Sequence, residues 1–202
     1  MARQLFTGKA FGTLDPQAGL ENRSKLSNLL STQNCYFMKQ THSNTVHVVT
    51  SESEIIQEGD GLVTKERSMP LAVQVGDCLP LLLESEHVIA AVHVGRKGLL
   101  NGVAVTAIRK MKELGASKIS GVVGPHICAN CYEVDEEMFT EITKTHPESR
   151  SIGRKLNLFA ALAAQIPEVP LKNLQLCTLE NQDYFSFRRG AESGRQVGVI
   201  CL

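Results

Sequence analysis

The chain has no tryptophan, and aromatic residues make up only 5 % of it. Single-stranded nucleic acids are gripped by stacking bases on aromatic side chains, so this scarcity argues against such a surface. Charge is lacking too: 21 Lys plus Arg balance 21 Asp plus Glu, which removes the electrostatic case for nucleic acid or an anionic membrane as partner. No apolar run approaches the roughly 20 residues of a membrane span. The opening MARQLFTGKAFG lacks the apolar core of a secretory signal, and a cytoplasmic location is expected. The six cysteines suit a compartment where thiols stay reduced. Only Cys128 and Cys131 form a C-x-x-C, which argues against a closed four-cysteine zinc site and leaves a mixed Cys/His site open.

What is present is a chain of 202 residues, 43 % hydrophobic and 21 % charged, long enough to bury a substantial core. A single domain over residues 1–202 is expected. Periodicity predicts strands at 35–39, 45–50, 71–75, 118–123, 174–178 and 196–202, and helices at 21–30, 98–114, 135–146 and 156–166. Residues 1–33 otherwise read as irregular. Glu58-Gly59-Asp60-Gly61 reads as a tight turn. Mixed strands and helices without an internal repeat predict an α/β (α+β) sandwich with mixed sheets.

The densest chemistry lies between Leu71 and Gly98. Two apolar runs, 79–83 and 88–93, flank a polar turn and predict a buried hairpin. A turn centred between Ser85 and Glu86 places Cys78 directly opposite His93. A thiolate and an imidazole that close suit a shared metal ion or a nucleophile–base pair. Asp77 adjoins Cys78, and Gly95-Arg96-Lys97-Gly98 follows His93 and opens a helix. Free N–H groups beside basic residues make an anion site there. His42 and His47 would face opposite sides of one strand, and His42, at a junction, is the better site candidate. The pair Cys128 and Cys131 reads as loop thiols rather than a redox pair. His126 faces either the pocket or solvent, and Arg188 either the substrate or a surface partner.

The ordered set QTH, DG, VGDC-P, AVHVGRKG, GPHI…CYEV and CT…YFSFRR…GRQVGVI, running from about Gln40 to the C-terminus, resembles the YfiH (laccase-domain, "polyphenol oxidase") family. The resemblance implies an α/β sandwich distantly similar to the cytotoxic necrotizing factor catalytic domain. It implies zinc on His42, Cys78 and His93, with a fourth position open as in catalytic sites. It implies phosphorolysis of adenosine, inosine and methylthioadenosine and deamination of adenosine, with Asp77, Cys78 and His93 at the chemistry. Arg96, Lys97, Gly98, His126 and Arg188 are then candidates for the nucleoside and phosphate. Two alternatives stand beside this: a cysteine hydrolase or deamidase using Cys78 and His93, and a copper-dependent laccase-like oxidase. Multicopper chemistry wants many histidines, and the chain has six. Where the family usually reads HAGWRG, this chain has His93-Val94-Gly95-Arg96-Lys97-Gly98; Lys97 cannot make the bidentate contact of an Arg.

Overall fold

The predicted hairpin organises the molecule. In the computed structural model, which describes residues 2–190 and 194–202, its two strands lie at the centre of a six-stranded sheet. The chain runs through β1 (Arg3–Phe6), α1 (Leu20–Leu30), β2 (Phe37–Lys39), β3 (Val46–Val48), β4 (Ile56–Glu58) and β5 (Gly61–Thr64). It continues with β6 (Leu71–Val75), β7 (Leu79–Glu84), β8 (Ile89–Val94), α2 (Arg96–Asn101), α3 (Val103–Glu113) and β9 (Ser120–Val123). It closes with α4 (Glu136–Thr145), α5 (Leu158–Gln165), β10 (Leu171–Asn173) and β11 (Gln196–Cys201).

The large sheet has the order β10-β9-β7-β8-β5-β3, the second sheet β1-β11-β6, and β2 pairs with β4. Parallel pairing at β9/β10 and β3/β5 combines with antiparallel pairing at β7/β8, so the sheet is mixed. Alternation along β7 and β8 explains the layers. Leu81, Leu83, Ala90, Val92 and Val94 pack with Ala104, Ala107, Ile108 and Met111 of α3 and Leu158 and Leu162 of α5. Leu82, Ile89 and Ala91 point the other way, into Leu71, Val73, Val75 and Ile200 of the second sheet. That sheet turns Ala72, Val197 and Val199 outward onto Leu26 and Leu30 of α1. The result is helix, sheet, sheet, helix. Each fully buried Leu of the hairpin contributes roughly 1.5–3 kcal/mol of hydrophobic stabilisation.

Several sequence expectations need correcting. Pro80, not Cys78, is paired with His93, and Leu81 with Val92. The turn is centred one residue later because the Ser85 N–H and the Val88 carbonyl close a four-residue loop. Partners therefore slip by two residues, which leaves every side chain on its expected face. The helix predicted over 98–114 starts at Arg96 and breaks at Gly102, whose φ of 73° caps α2. The strand predicted at 174–178 is β10 further upstream, followed by a single bridge from Cys177 to His126. The irregular N-terminus contains β1, antiparallel to β11. In the helix predicted at 21–30, Leu26 and Leu30 are buried, whereas Leu29 is 62 % exposed.

Candidate functional site

One end of the sandwich gathers the ends of β6 and β8, the starts of β5, β7 and β11, and the loop before β3. Cys78 immediately precedes β7 and His93 lies one residue from the end of β8. The third group, His42, comes from the loop in a left-handed conformation, φ 59°. The donor atoms of His42, Cys78 and His93 all lie within 4.8 Å of one another. The two imidazoles meet edge to face, 4.9 Å between centroids. Gly95 makes the approach possible, since a Cβ there would stand 3.0 Å from Cys78 Sγ and 3.2 Å from His42 Cδ2.

Asp60 assembles this cluster. The sequence reading left it in a turn, but it is fully buried. Its Oδ2 accepts from the Ser43 N–H at 2.6 Å, the Ser43 hydroxyl at 2.9 Å and the Thr41 N–H at 3.2 Å. Its Oδ1 accepts from the His42 N–H at 3.1 Å and stands 2.8 Å from His93 Nδ1. Its carbonyl accepts from the His93 N–H. One carboxylate thus folds the His42 loop and fixes the His93 ring, with Nδ1 turned to Asp60 and Nε2 left toward Cys78. A sequence signal existed: an Asp directly before the wholly buried strand β5 has to find partners.

Electrostatics follow from that geometry. Burial works against ionising Cys78, but the charge on His93 and hydrogen bonds from His42 and His93 outweigh it and bring the thiol down to about 6. Burial also opposes the His93 imidazolium, yet the Cys78 thiolate and the Asp60 contact raise it to about 9. Against its own burial, Asp60 is lowered to about 2 by His93 and Ser43. Cys78 and His93 act as one ion pair, because each is stabilised in its charged form by the other.

The cluster forms the floor of a cavity of about 540 Å³ lined also by Gln40, Gln74, Asp77, Tyr132, Phe187, Arg188 and Arg195. That volume lies in the range of small-molecule sites. Asp77 has φ 108°, unusual for a residue with a Cβ. It is held there from three sides: Oδ1 accepts from Thr178 Oγ1 at 2.7 Å, Oδ2 from the Arg188 N–H at 2.9 Å, and its carbonyl from the Ile127 N–H. Strain that a surrounding structure over-determines in this way clusters at functional sites.

Residues 10–202 match the model of the family described as multi-copper polyphenol oxidoreductase laccase. The chain belongs to this family. It is 38 % identical to a purine nucleoside phosphorylase of Corynebacterium glutamicum, over 93 % of this chain and 83 % of the relative. It is 36 % identical to a purine nucleoside phosphorylase of Streptomyces coelicolor, over 98 % and 88 %. Among solved structures, a Neisseria meningitidis protein superposes with a TM-score of 0.85 at 25 % identity, covering 100 % of this chain and 94 % of that one. The Bacillus licheniformis hypothetical protein YfiH gives 0.87 at 24 %, covering 100 % and 92 %. The mixed-sheet sandwich expected from the sequence is the fold these proteins share.

The other expected site residues divide. Arg188 reaches the cavity wall; its guanidinium lies 4.7 Å over the Tyr132 ring and donates to the Glu133 carbonyl at 2.5 Å. Arg96 instead makes an ion pair with Glu141, Lys97 is exposed, and Gly98 is buried inside α2. None of these three is among the residues lining the cavity. His126 faces neither pocket nor solvent: it is buried, its Nδ1 is 2.8 Å from the Gly124 carbonyl, and burial lowers its pKa so that the ring stays neutral. His47 bonds to the Glu58 carbonyl, away from the cluster. Sequence reasoning did not single out Asp60, Tyr132, Phe187 or Arg195 as site residues, although each falls within one of the motifs DG, CYEV, YFSFRR and GRQVGVI. The described helices include none long and apolar enough to cross a membrane.

Proposed function

We propose that this protein is a zinc-dependent purine nucleoside enzyme that cleaves adenosine, inosine or methylthioadenosine with phosphate and deaminates adenosine. The observation that carries the reading is the convergence of His42, Cys78 and His93 in a nucleoside-sized cavity. The donor set fits zinc: two imidazole nitrogens and a thiol that ionises easily, with a carboxylate orienting His93 in the manner of metal-ligating histidines. Three protein ligands leave an open position. When bound there, zinc would supply a Lewis acid and a water acidic enough to act near neutral pH. Copper oxidase chemistry fits less well, since only two of the six histidines reach the cavity. The names of the Corynebacterium and Streptomyces relatives support the phosphorylase reading.

The chain's own residues then take definite parts. Phe187, 55 % exposed, and Tyr132 offer ring faces to a purine. Arg188 and Arg195 bring two guanidinium groups to the same cavity. An Arg has five N–H donors and suits a phosphate bidentately, so these two are better placed for the anion than Arg96, Lys97 and Gly98. Asp77 accepts two hydrogen bonds, while a carboxylate has about four lone-pair sites; it retains capacity to accept a proton during deamination. Zinc on Cys78 and His93 would displace the imidazolium proton of His93, so the site would exchange that proton for the cation.

The cysteine hydrolase reading stays as the second, because the same thiolate–imidazolium pair suits a nucleophile. One assay separates them: release of hypoxanthine from inosine, with and without phosphate, in zinc-loaded and chelator-treated protein. Release that needs both phosphate and zinc supports the proposal. Turnover that persists without metal and vanishes on alkylating Cys78 would transfer the function to the thiol.

A further inference from the structure

A second cluster lies away from the His42–Cys78–His93 group. Cys128 and Cys131 are on the loop after β9, and Cys177 and Glu180 follow β10. Their three sulfurs and a carboxylate oxygen all lie within 4.8 Å of one another. Glu180 Oε1 accepts from Cys131 Sγ at 3.1 Å and from Cys128 Sγ at 3.7 Å. Among the described residues no Lys or Arg bridges that carboxylate. The backbone prepares the site further. The N–H groups of Cys131 and Tyr132 both turn back to the Cys128 carbonyl, closing the C-x-x-C into a tight loop. The Cys128 N–H points at Cys177 Sγ, 3.4 Å away. The bridge between His126 and Cys177 keeps the two loops in register.

We propose that Cys128, Cys131, Cys177 and Glu180 form a second metal site that takes zinc as a closed, four-ligand staple. Ligands about 2.3 Å from a tetrahedral zinc stand roughly 3.7 Å apart, so the donors need to close by only about 1 Å. Three thiols and one carboxylate carry the same formal charge as a four-cysteine site when ionised, and binding releases the three thiol protons to solvent. Four protein donors leave no open position, in contrast to the three-donor cluster. The staple would join the loops that shape one cavity wall: Ile127 and Thr178 hold Asp77, and Glu133 holds Arg188.

The test uses Cys78→Ala, which removes the other site's thiolate, so the two sites are read separately. Protein purified without chelator and titrated with zinc is assayed by mass spectrometry of bound metal. We expect two zinc per chain in the wild type, one in Cys78→Ala and one in Cys131→Ser. Zinc should also slow alkylation of Cys128, Cys131 and Cys177 at least tenfold in Cys78→Ala, a readout that needs no folded Cys131 variant. Three results overturn the proposal: Cys78→Ala that takes up no zinc and shows no protection, folded Cys131→Ser that retains the wild-type content, or a disulfide among the three cysteines in protein offered zinc.

Discussion

Replacing Asp60 by Asn tests whether one carboxylate assembles the His42–Cys78–His93 cluster. The change keeps the side-chain size and turns one oxygen into an NH2 group. Four donors from Thr41 and Ser43 meet Oδ2, and the His42 N–H and His93 Nδ1 meet Oδ1. The less costly placement puts the NH2 at the Oδ1 position, where it confronts the His42 N–H and His93. In zinc-loaded protein, where His93 would be neutral with its proton on Nδ1, the ring accommodates the change by making Nδ1 an acceptor, which moves the proton to Nε2 and removes the lone pair offered to the metal. Two hydrogen bonds to a charged acceptor, each worth roughly 1.5–3 kcal/mol, give an expected destabilisation of about 3–6 kcal/mol. Loss of an orienting carboxylate typically weakens metal binding about 10–100-fold, equivalent to roughly 1.4–2.7 kcal/mol. Urea denaturation of the metal-free protein reads the first figure, and competition with a chromophoric zinc chelator reads the second. Ring-nitrogen NMR of His93 reads the tautomer directly. Wild-type zinc affinity in Asp60→Asn, with the proton still on Nδ1, would refute the argument.

Further predictions concern the same cavity. In metal-free protein, iodoacetamide should alkylate Cys78 with a rate that rises through about pH 6; a rise only near pH 9 would show an ordinary thiol without its imidazolium partner. His93, raised to about 9, contributes stability fully present below its ordinary 6.5 and lost as pH climbs through 9. Asp60 has the opposite sign, contributing above 3.8 and losing that contribution as pH falls through about 2. Urea midpoints of metal-free protein across these two windows check both signs. Gly95→Ala should weaken zinc binding at least tenfold, because the new Cβ stands 3.0 Å from Cys78 Sγ; unchanged affinity by chelator competition would mean the approach is not tight. Arg188→Ala should raise the phosphate KM tenfold or more in the phosphorolysis assay, with Arg188→Lys recovering little, since Lys lacks the bidentate fork.

The hairpin was legible because its apolar runs are local and long, and its faces survived an error of two residues in register because the side-chain period of a strand is also two. The His42, Cys78 and His93 convergence was legible from the hairpin together with family resemblance. What lay beyond reading was non-local. β1 pairs with a strand nearly the whole chain away, and its four residues, RQLF, show no alternation. Asp60 looked like a turn residue because its partners are spread over positions 41–43 and 93. The break at Gly102 was hidden by an apolar spacing that continues across it. Arg96 and Lys97 looked like an anion site because sequence shows neither Glu141 across the ion pair nor the direction in which α2 points.

The two kinds of chain that supply the three proposed zinc ligands have a kinetic consequence. Cys78 and His93 belong to the most deeply packed hairpin, which opens only when much of the fold opens. His42 rides on an exposed loop anchored by hydrogen bonds to the Asp60 carboxylate and by the Asn101 amide, which donates to the His42 carbonyl at 3.1 Å. Capture of an ion would then start at the hairpin and finish when the loop swings in, whereas escape would wait for the loop alone to swing out. Residence time of such an ion would then be set by Thr41, Ser43, Asp60 and Asn101 as much as by the ligands, and substitutions there would act as a timer on exchange.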